Sequence, residues 1–171
     1  MSLVLRPADP ADIDGIATVR IRTWQAAYAG IVPQDYLDGL TPEAEADRMR
    51  ARGPRPGNHV AELDGEVVGW SSVGRYDGGE EVPPPSEGCG EVHAIYVLPD
   101  RWGAGIGRAL MAYSLERLTD EGLSPALLWV LTGNARARRF YEAYGFRPDG
   151  ATHSFTVSGV DLPELRYRYP A

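Results

Sequence analysis

The sequence predicts an α/β fold of three layers (α+β in its pairing), in which a mixed central sheet carries helices on both faces, and three observations predict it. Runs of strand alternation and of helical periodicity follow one another in the order β-α-α-β-β-β-α-β-α-β-β, without internal repeat. An Asp64-Gly65 pair between two alternating apolar runs signals a hairpin, so part of the sheet is antiparallel. The 171 residues, 43% hydrophobic and 24% charged, have the length and composition of one soluble globular domain spanning residues 1–171.

The first strand, Leu3–Arg6, ends at Pro7. Asp9 and Pro10 read as an N-cap and a first helical residue, and Ile13, Ile16, Arg20, Trp24 and Tyr28 then share roughly one face of a helix that Gly30 stops. Thr41-Pro42 repeats the cap signature for a second helix, which runs to Arg52 before the breakers Gly53-Pro54-Arg55-Pro56-Gly57. His59–Leu63 and Glu66–Val73 are the arms of the hairpin. Tyr76–Gly90, with Gly78, Gly79, Gly88, Gly90 and three consecutive prolines, is a loop within the domain. Glu91–Val97 is an alternating strand that Pro99-Asp100 breaks. The turn Gly103–Gly107 opens a helix with Ile106, Leu110, Tyr113/Ser114 and Leu118 on its apolar face, and Ala126–Leu131 is a buried strand. Asn134 caps a helix carrying Phe140 and Tyr141, Gly145 closes it, and strands near Thr152–Val157 and Leu165–Tyr169 end the chain.

Composition removes several chemistries. One cysteine, Cys89, permits neither an intrachain disulfide nor a multi-thiolate zinc site, as expected of a cytoplasmic protein. All 17 basic residues are arginine, and without lysine there is no Schiff base, Walker-type phosphate loop or serine–lysine nucleophile. His59, His93 and His153 are too far apart for a helical metal pair, so no metal is expected. The net charge of −7 argues against nucleic acid and anionic membranes as partners and favours a cationic substrate. No basic patch precedes an apolar run at the N-terminus, and no stretch of about 18 apolar residues occurs, so neither secretion nor membrane spanning is expected.

The turn Gly103-Ala104-Gly105-Ile106-Gly107 is the first feature with chemistry. Glycines let backbone N–H groups converge, and the start of a helix adds its positive end, which together suit a pyrophosphate. As a dinucleotide fingerprint the turn fails, because Arg108 stands where the third glycine belongs and no strand-end acid follows. An ordinary tight turn is the alternative.

Tyr96-Val97-x-Pro99, then Trp102-Gly103-Ala104-Gly105-Ile106-Gly107-Arg108-Ala109-Leu110, then Asn134-x-x-Ala137-x-x-Phe140-Tyr141-x-x-x-Gly145-Phe146, resemble the GNAT acyltransferase superfamily, and the element order extends the resemblance over nearly the whole chain. It implies a mostly antiparallel sheet with acetyl-CoA held between two splayed strands. Tyr96, Val97, Trp102, Gly103, Ala104, Gly105, Ile106, Gly107, Arg108 and Asn134 would line that site, with the pyrophosphate on the glycine turn and Asn134 on the pantetheine arm. N-capping accounts for Asn134 equally well. The chain departs from the family at Trp102, where glutamine or arginine is usual, and Arg101 stands one place early.

An amine with a pKa near 10 is almost wholly protonated at neutral pH, so acyl transfer from a thioester needs a proton acceptor, a stabilised oxyanion and a proton for the departing thiolate. The resemblance places a base at Glu91 and a general acid at Tyr141. His93, two residues beyond Glu91 and so on the same strand face, is a rival base or relay. Trp24, Tyr28 and Tyr36 fall in the region that walls the acceptor pocket in the superfamily, where aromatic rings suit an ammonium. The segment Gly150-Ala151-Thr152-His153-Ser154-Phe155 is similar to the end of bacterial polyamine acetyltransferases, which implies His153 on the acceptor side.

The expected activity is N-acetyl transfer from acetyl-CoA to a primary amine, on a polyamine, amino acid, antibiotic or peptide N-terminus. Transfer is direct, since Cys89 has no basic neighbour to make it a thiolate. A homodimer is compatible with this reading. The alternative is a non-catalytic acyl-CoA-binding module, which would keep the glycine turn and have no need of Glu91 and Tyr141.

Overall fold

Cap chemistry and hairpin turns set most element boundaries in the computed structural model, which describes residues 2–78 and 81–170. Positions 79 and 80 of the expected Tyr76–Gly90 loop, and the two ends of the 1–171 span, lie outside the described residues. The elements are β1 (Leu3–Pro7), α1 (Ile13–Ala27), α2 (Gln34–Asp38), α3 (Pro42–Arg52), β2 (Asn58–Leu63), β3 (Glu66–Arg75), β4 (Gly90–Val97), α4 (Ile106–Asp120), β5 (Ala126–Leu131), α5 (Ala135–Tyr144), β6 (Arg147–Val157) and β7 (Val160–Tyr169).

Before α1, Asp9 accepts from the Ala11 N–H at 2.7 Å and Asp12 accepts from the Asp9 N–H at 2.8 Å, a reciprocal cap that satisfies otherwise orphaned donors. Thr41 accepts from the Ala44 N–H at 3.2 Å to start α3. The short helix α2 was not expected, because five residues are too few to show a helical period. It is held instead by long-range contacts, with Leu37 buried and Gln25 Nε2 donating to the Leu37 and Leu40 carbonyls at 3.1 Å. Asp64 and Gly65 turn the β2–β3 hairpin with φ of 51° and 88°, and Ser158 and Gly159 turn the β6–β7 hairpin with 49° and 77°. Both are the left-handed pair that matches strand twist.

The seven strands form one sheet in the order β1-β2-β3-β4-β5-β7-β6. All neighbours are antiparallel except β4 and β5. That parallel pair is joined only at Gly90↔Ala126 and Glu91↔Leu127, after which no ladder connects them. One face of the sheet packs Trp24 of α1 with Leu37 of α2, and Ile16 of α1 with Met49 of α3, Val60 and Trp70. The other packs Ile106, Leu110, Met111 and Leu118 of α4 and Phe140 and Tyr141 of α5. The expected layers are thus present, with a gap in the sheet between β4 and β5.

Candidate active site

Two cavities, of about 550 Å³ and about 640 Å³, meet at that gap. Both are of the size that encloses small molecules or cofactor arms. Tyr28, His93, Ala94, Tyr96, Trp129, Leu131 and Glu164 line both and mark the junction.

The smaller cavity, expected to be the donor side, runs from the junction to the start of α4. Gly105 caps α4 in the left-handed region, φ 83°, and no side chain caps the helix. The first intrahelical bond is Ala109 N–H to the Gly105 carbonyl, so the preceding N–H groups of the first turn have no partner within the helix. These donors and the helix dipole make an anion site, and Arg101, Arg108, Arg136 and Arg139 line the same cavity. A phosphate-bearing group fits this donor set. Of the residues expected at the acetyl-CoA site, Gly103, Gly105, Gly107, Tyr96, Val97, Trp102, Arg108 and Asn134 line this cavity, whereas Ala104 is outside its lining and Ile106 is buried. Trp102 donates its Nε1–H to the Val97 carbonyl at 2.8 Å and carries the Arg136 guanidinium 4.1 Å from its ring centre, so it braces the turn and supports a cation. Asn134 does cap α5, accepting from the Ala137 N–H at 3.1 Å.

Tyr141 reaches the donor cavity from α5 with its ring against Phe140, Phe146 and Tyr167. Burial, reinforced by the field of Tyr96, pushes its phenol well above the ordinary value, so it is protonated at neutral pH. Phe140 lines the same cavity and lies over Gly107, where a Cβ would stand 3.4 Å from its ring.

The larger cavity, expected to be the acceptor side, is walled by Arg20, Trp24, Trp70, Trp129, Phe155 and His153, and Glu91, His93 and Glu164 line it too. Trp24 sits edge-on to Tyr28, ring centres 4.8 Å apart, and donates Nε1–H to the Tyr96 hydroxyl at 3.2 Å. Burial pushes the Tyr28 phenol far up. Tyr36 packs against the core around Leu37 and lines neither cavity.

Strict alternation does not hold along β4. Val92 faces Val73 and Ala94 faces Ser72, so His93 is an extra residue, a bulge that flips the faces of the strand beyond it. The expected encounter of Glu91 and His93 survives, with His93 Nδ1 3.4 Å from Glu91 Oε2, because the bulge lies at His93 itself. That same oxygen of Glu91 accepts from the Asp77 N–H at 3.2 Å. Sequence reasoning missed Glu164 and Trp129. His153 Nε2 lies 2.9 Å from Glu164 Oε1, and its ring stacks on Trp129 with centres 3.7 Å apart. The Ser158-Gly159 turn was the available signal, since counting outward from it pairs His153 with Glu164.

The model of the acetyltransferase (GNAT) family matches residues 19–146. The chain is 34% identical over 171 residues to an uncharacterized N-acetyltransferase, YuaI, of Bacillus subtilis (strain 168), covering 98% of this chain and 93% of that protein. It is 43% identical over 95 residues to a mycothiol acetyltransferase of Frankia alni, a match of 53% of this chain and 28% of that longer protein. Among solved structures it resembles the PaiA N-acetyltransferase of Thermoplasma acidophilum in complex with coenzyme A, with TM-score 0.70, 19% identity and coverage of 99% and 100%. A GCN5-related N-acetyltransferase of Rhodopseudomonas palustris has TM-score 0.73 at 19% identity, covering 98% of this chain and 95% of that one. Both structural likenesses concern the fold.

Proposed function

Because the chain belongs to the GNAT acetyltransferase family, we propose that it transfers an acetyl group from acetyl-CoA to a primary amine by direct attack. The observation that carries this reading is the meeting of two cavities at the β4–β5 gap, one ending on an uncapped helix start, the other walled by aromatic rings and carboxylates. The α4 turn and its arginines would hold the pyrophosphate, with Asn134 and the unpaired edge of β4 beside the pantetheine arm. When bound, this cosubstrate supplies the activated acetyl thioester. Tyr141, whose buried phenol lines the donor cavity, would give a proton to the departing sulfur, and the cleft that desolvates the phenol would raise the thiolate's proton affinity as well. The acceptor's amine enters past Trp24 and Tyr28 toward the two acid–histidine pairs, one of which contains Glu91, the base that the family resemblance implies, with His93 as its rival or relay. A small molecule or a peptide N-terminus fits an open cavity of this volume. A module that only bound acyl-CoA would need the donor cavity and not the acceptor one.

The test is an acetyl-CoA-dependent thiol-release screen over polyamines, aminoglycosides, amino acids and peptides, paired with thermal shift. Coenzyme A at 100 times its Kd is expected to stabilise the fold by about 2.7 kcal/mol, roughly 5–10 °C at this chain length. Stabilisation by NAD and not by coenzyme A would remove the acetyltransferase reading.

A further inference from the structure

Two acid–histidine pairs line the acceptor cavity from opposite sides of the gap. Glu91 and His93 come from β4, whereas Glu164 of β7 and His153 of β6 are direct partners in the hairpin register. Trp129 of β5 fixes the second pair by stacking on His153, with the planes 12° apart. Position separates the two carboxylates. A group that takes a proton from the attacking amine must reach the place where the acceptor and donor cavities meet. Glu164 lines both cavities, and Glu91 lines the acceptor cavity alone. Glu91 Oε2 is engaged by the Asp77 N–H and His93, and His93 Nε2 is turned over β3, where a Cβ on Gly74 would stand 3.3 Å from it. His153 engages only Oε1 of Glu164.

We propose that Glu164, positioned by His153, takes the proton from the acceptor's ammonium, while Glu91 and His93 line its approach; this rests on the acetyltransferase reading above. Glu164 removes one proton and frees the nitrogen lone pair. The N–C bond forms as the C–S bond breaks, Tyr141 protonates the sulfur, and the second proton lost by nitrogen restores Tyr141. The products are the N-acetylated amine, free thiol and the one proton that Glu164 returns to solvent.

The titratable groups that act on Glu164 are His153 from β6, Glu91 from β4 and Tyr28 from α1, and His93 of β4 and Tyr141 of α5 line a cavity with it. Burial pushes its carboxyl up and Glu91 adds to that, while the hydrogen bond from His153 opposes both. The carboxylate is therefore lost on acidification at a higher pH than usual, and the acid limb of kcat/KM should lie above the ordinary carboxylate range.

The test is the pH profile of kcat/KM for an amine that the wild-type protein acetylates, with stabilisation by coenzyme A as the folding control. Glu164→Gln should lower kcat/KM at neutral pH about 10²-fold or more, abolish the acid limb, and recover at high pH, where free amine is abundant, with coenzyme A binding retained. Glu164→Asp should lose less, and His153→Gln should shift the limb. A wild-type profile in Glu164→Gln, or an equal loss at every pH together with lost coenzyme A binding, would overturn the proposal. So would transfer of the whole effect to Glu91→Gln. Failure of the wild-type protein to release thiol with any amine is a separate result, which removes the acetyltransferase reading itself.

Discussion

Tyr141 is adjacent in sequence to Phe140, and both line the donor cavity, but Phe140 also covers Gly107 and only Tyr141 brings a hydroxyl. Replacing Tyr141 with phenylalanine keeps the ring in contact with Phe146 and Tyr167 and deletes only the hydroxyl proposed to protonate the sulfur. Tyr141→Phe is therefore expected to lower kcat about 10²-fold with little change in coenzyme A affinity. Unchanged turnover in a steady-state assay would mean that water protonates the sulfur. Tyr141 was legible because it stands at a fixed spacing from Asn134 on one helix. Glu164 was not, because its partners come from β4, β5 and β6, and only the register of a hairpin brings His153 to it. Tyr36 shows the reverse: an aromatic residue in the right region whose ring the core takes up.

At the scale of elements, caps and turns were read correctly because their chemistry is local, as at Asp9, Thr41, Asp64-Gly65 and Asn134. The bulge at His93 was not legible, since it is defined by a mismatch between two strands rather than by either one. The start of α4 joins both kinds of information. Its glycines signal left-handed backbone locally, and the helix dipole acts only because the fold aims that end at a cavity. Gly105 has φ 83° and no atom within 4 Å of where a Cβ would be, so Gly105→Val meets backbone strain rather than a clash with the protein. The strain should cost about 1–3 kcal/mol and displace the converging N–H groups. The thermal shift produced by coenzyme A should then vanish, and a full shift in the folded variant would mean that the arginines, not the turn, hold the pyrophosphate.

At the scale of the whole molecule, the sheet order brings the two cavities together. Antiparallel neighbours close the sheet on both sides of a single parallel pair whose ladder stops after Glu91, so a gap opens through the middle layer and the cavities reach each other there. A covalent acyl-enzyme would need a nucleophile in that gap. Cys89 is the chain's one thiol. It is buried in the segment before β4, its Sγ–H donates to the Ser86 carbonyl at 3.1 Å, and it lines neither cavity. The proposed direct attack accordingly has donor and acceptor bound together before the acetyl group moves. Double-reciprocal plots at several fixed amine concentrations should intersect, as a ternary complex requires. Cys89→Ala should keep kcat within about twofold, because it removes one small buried group away from the chemistry, at a stability cost of roughly 1 kcal/mol. Parallel lines, together with loss of turnover in Cys89→Ala, would instead require an acyl-cysteine, and the loop before β4 would have to open to form it.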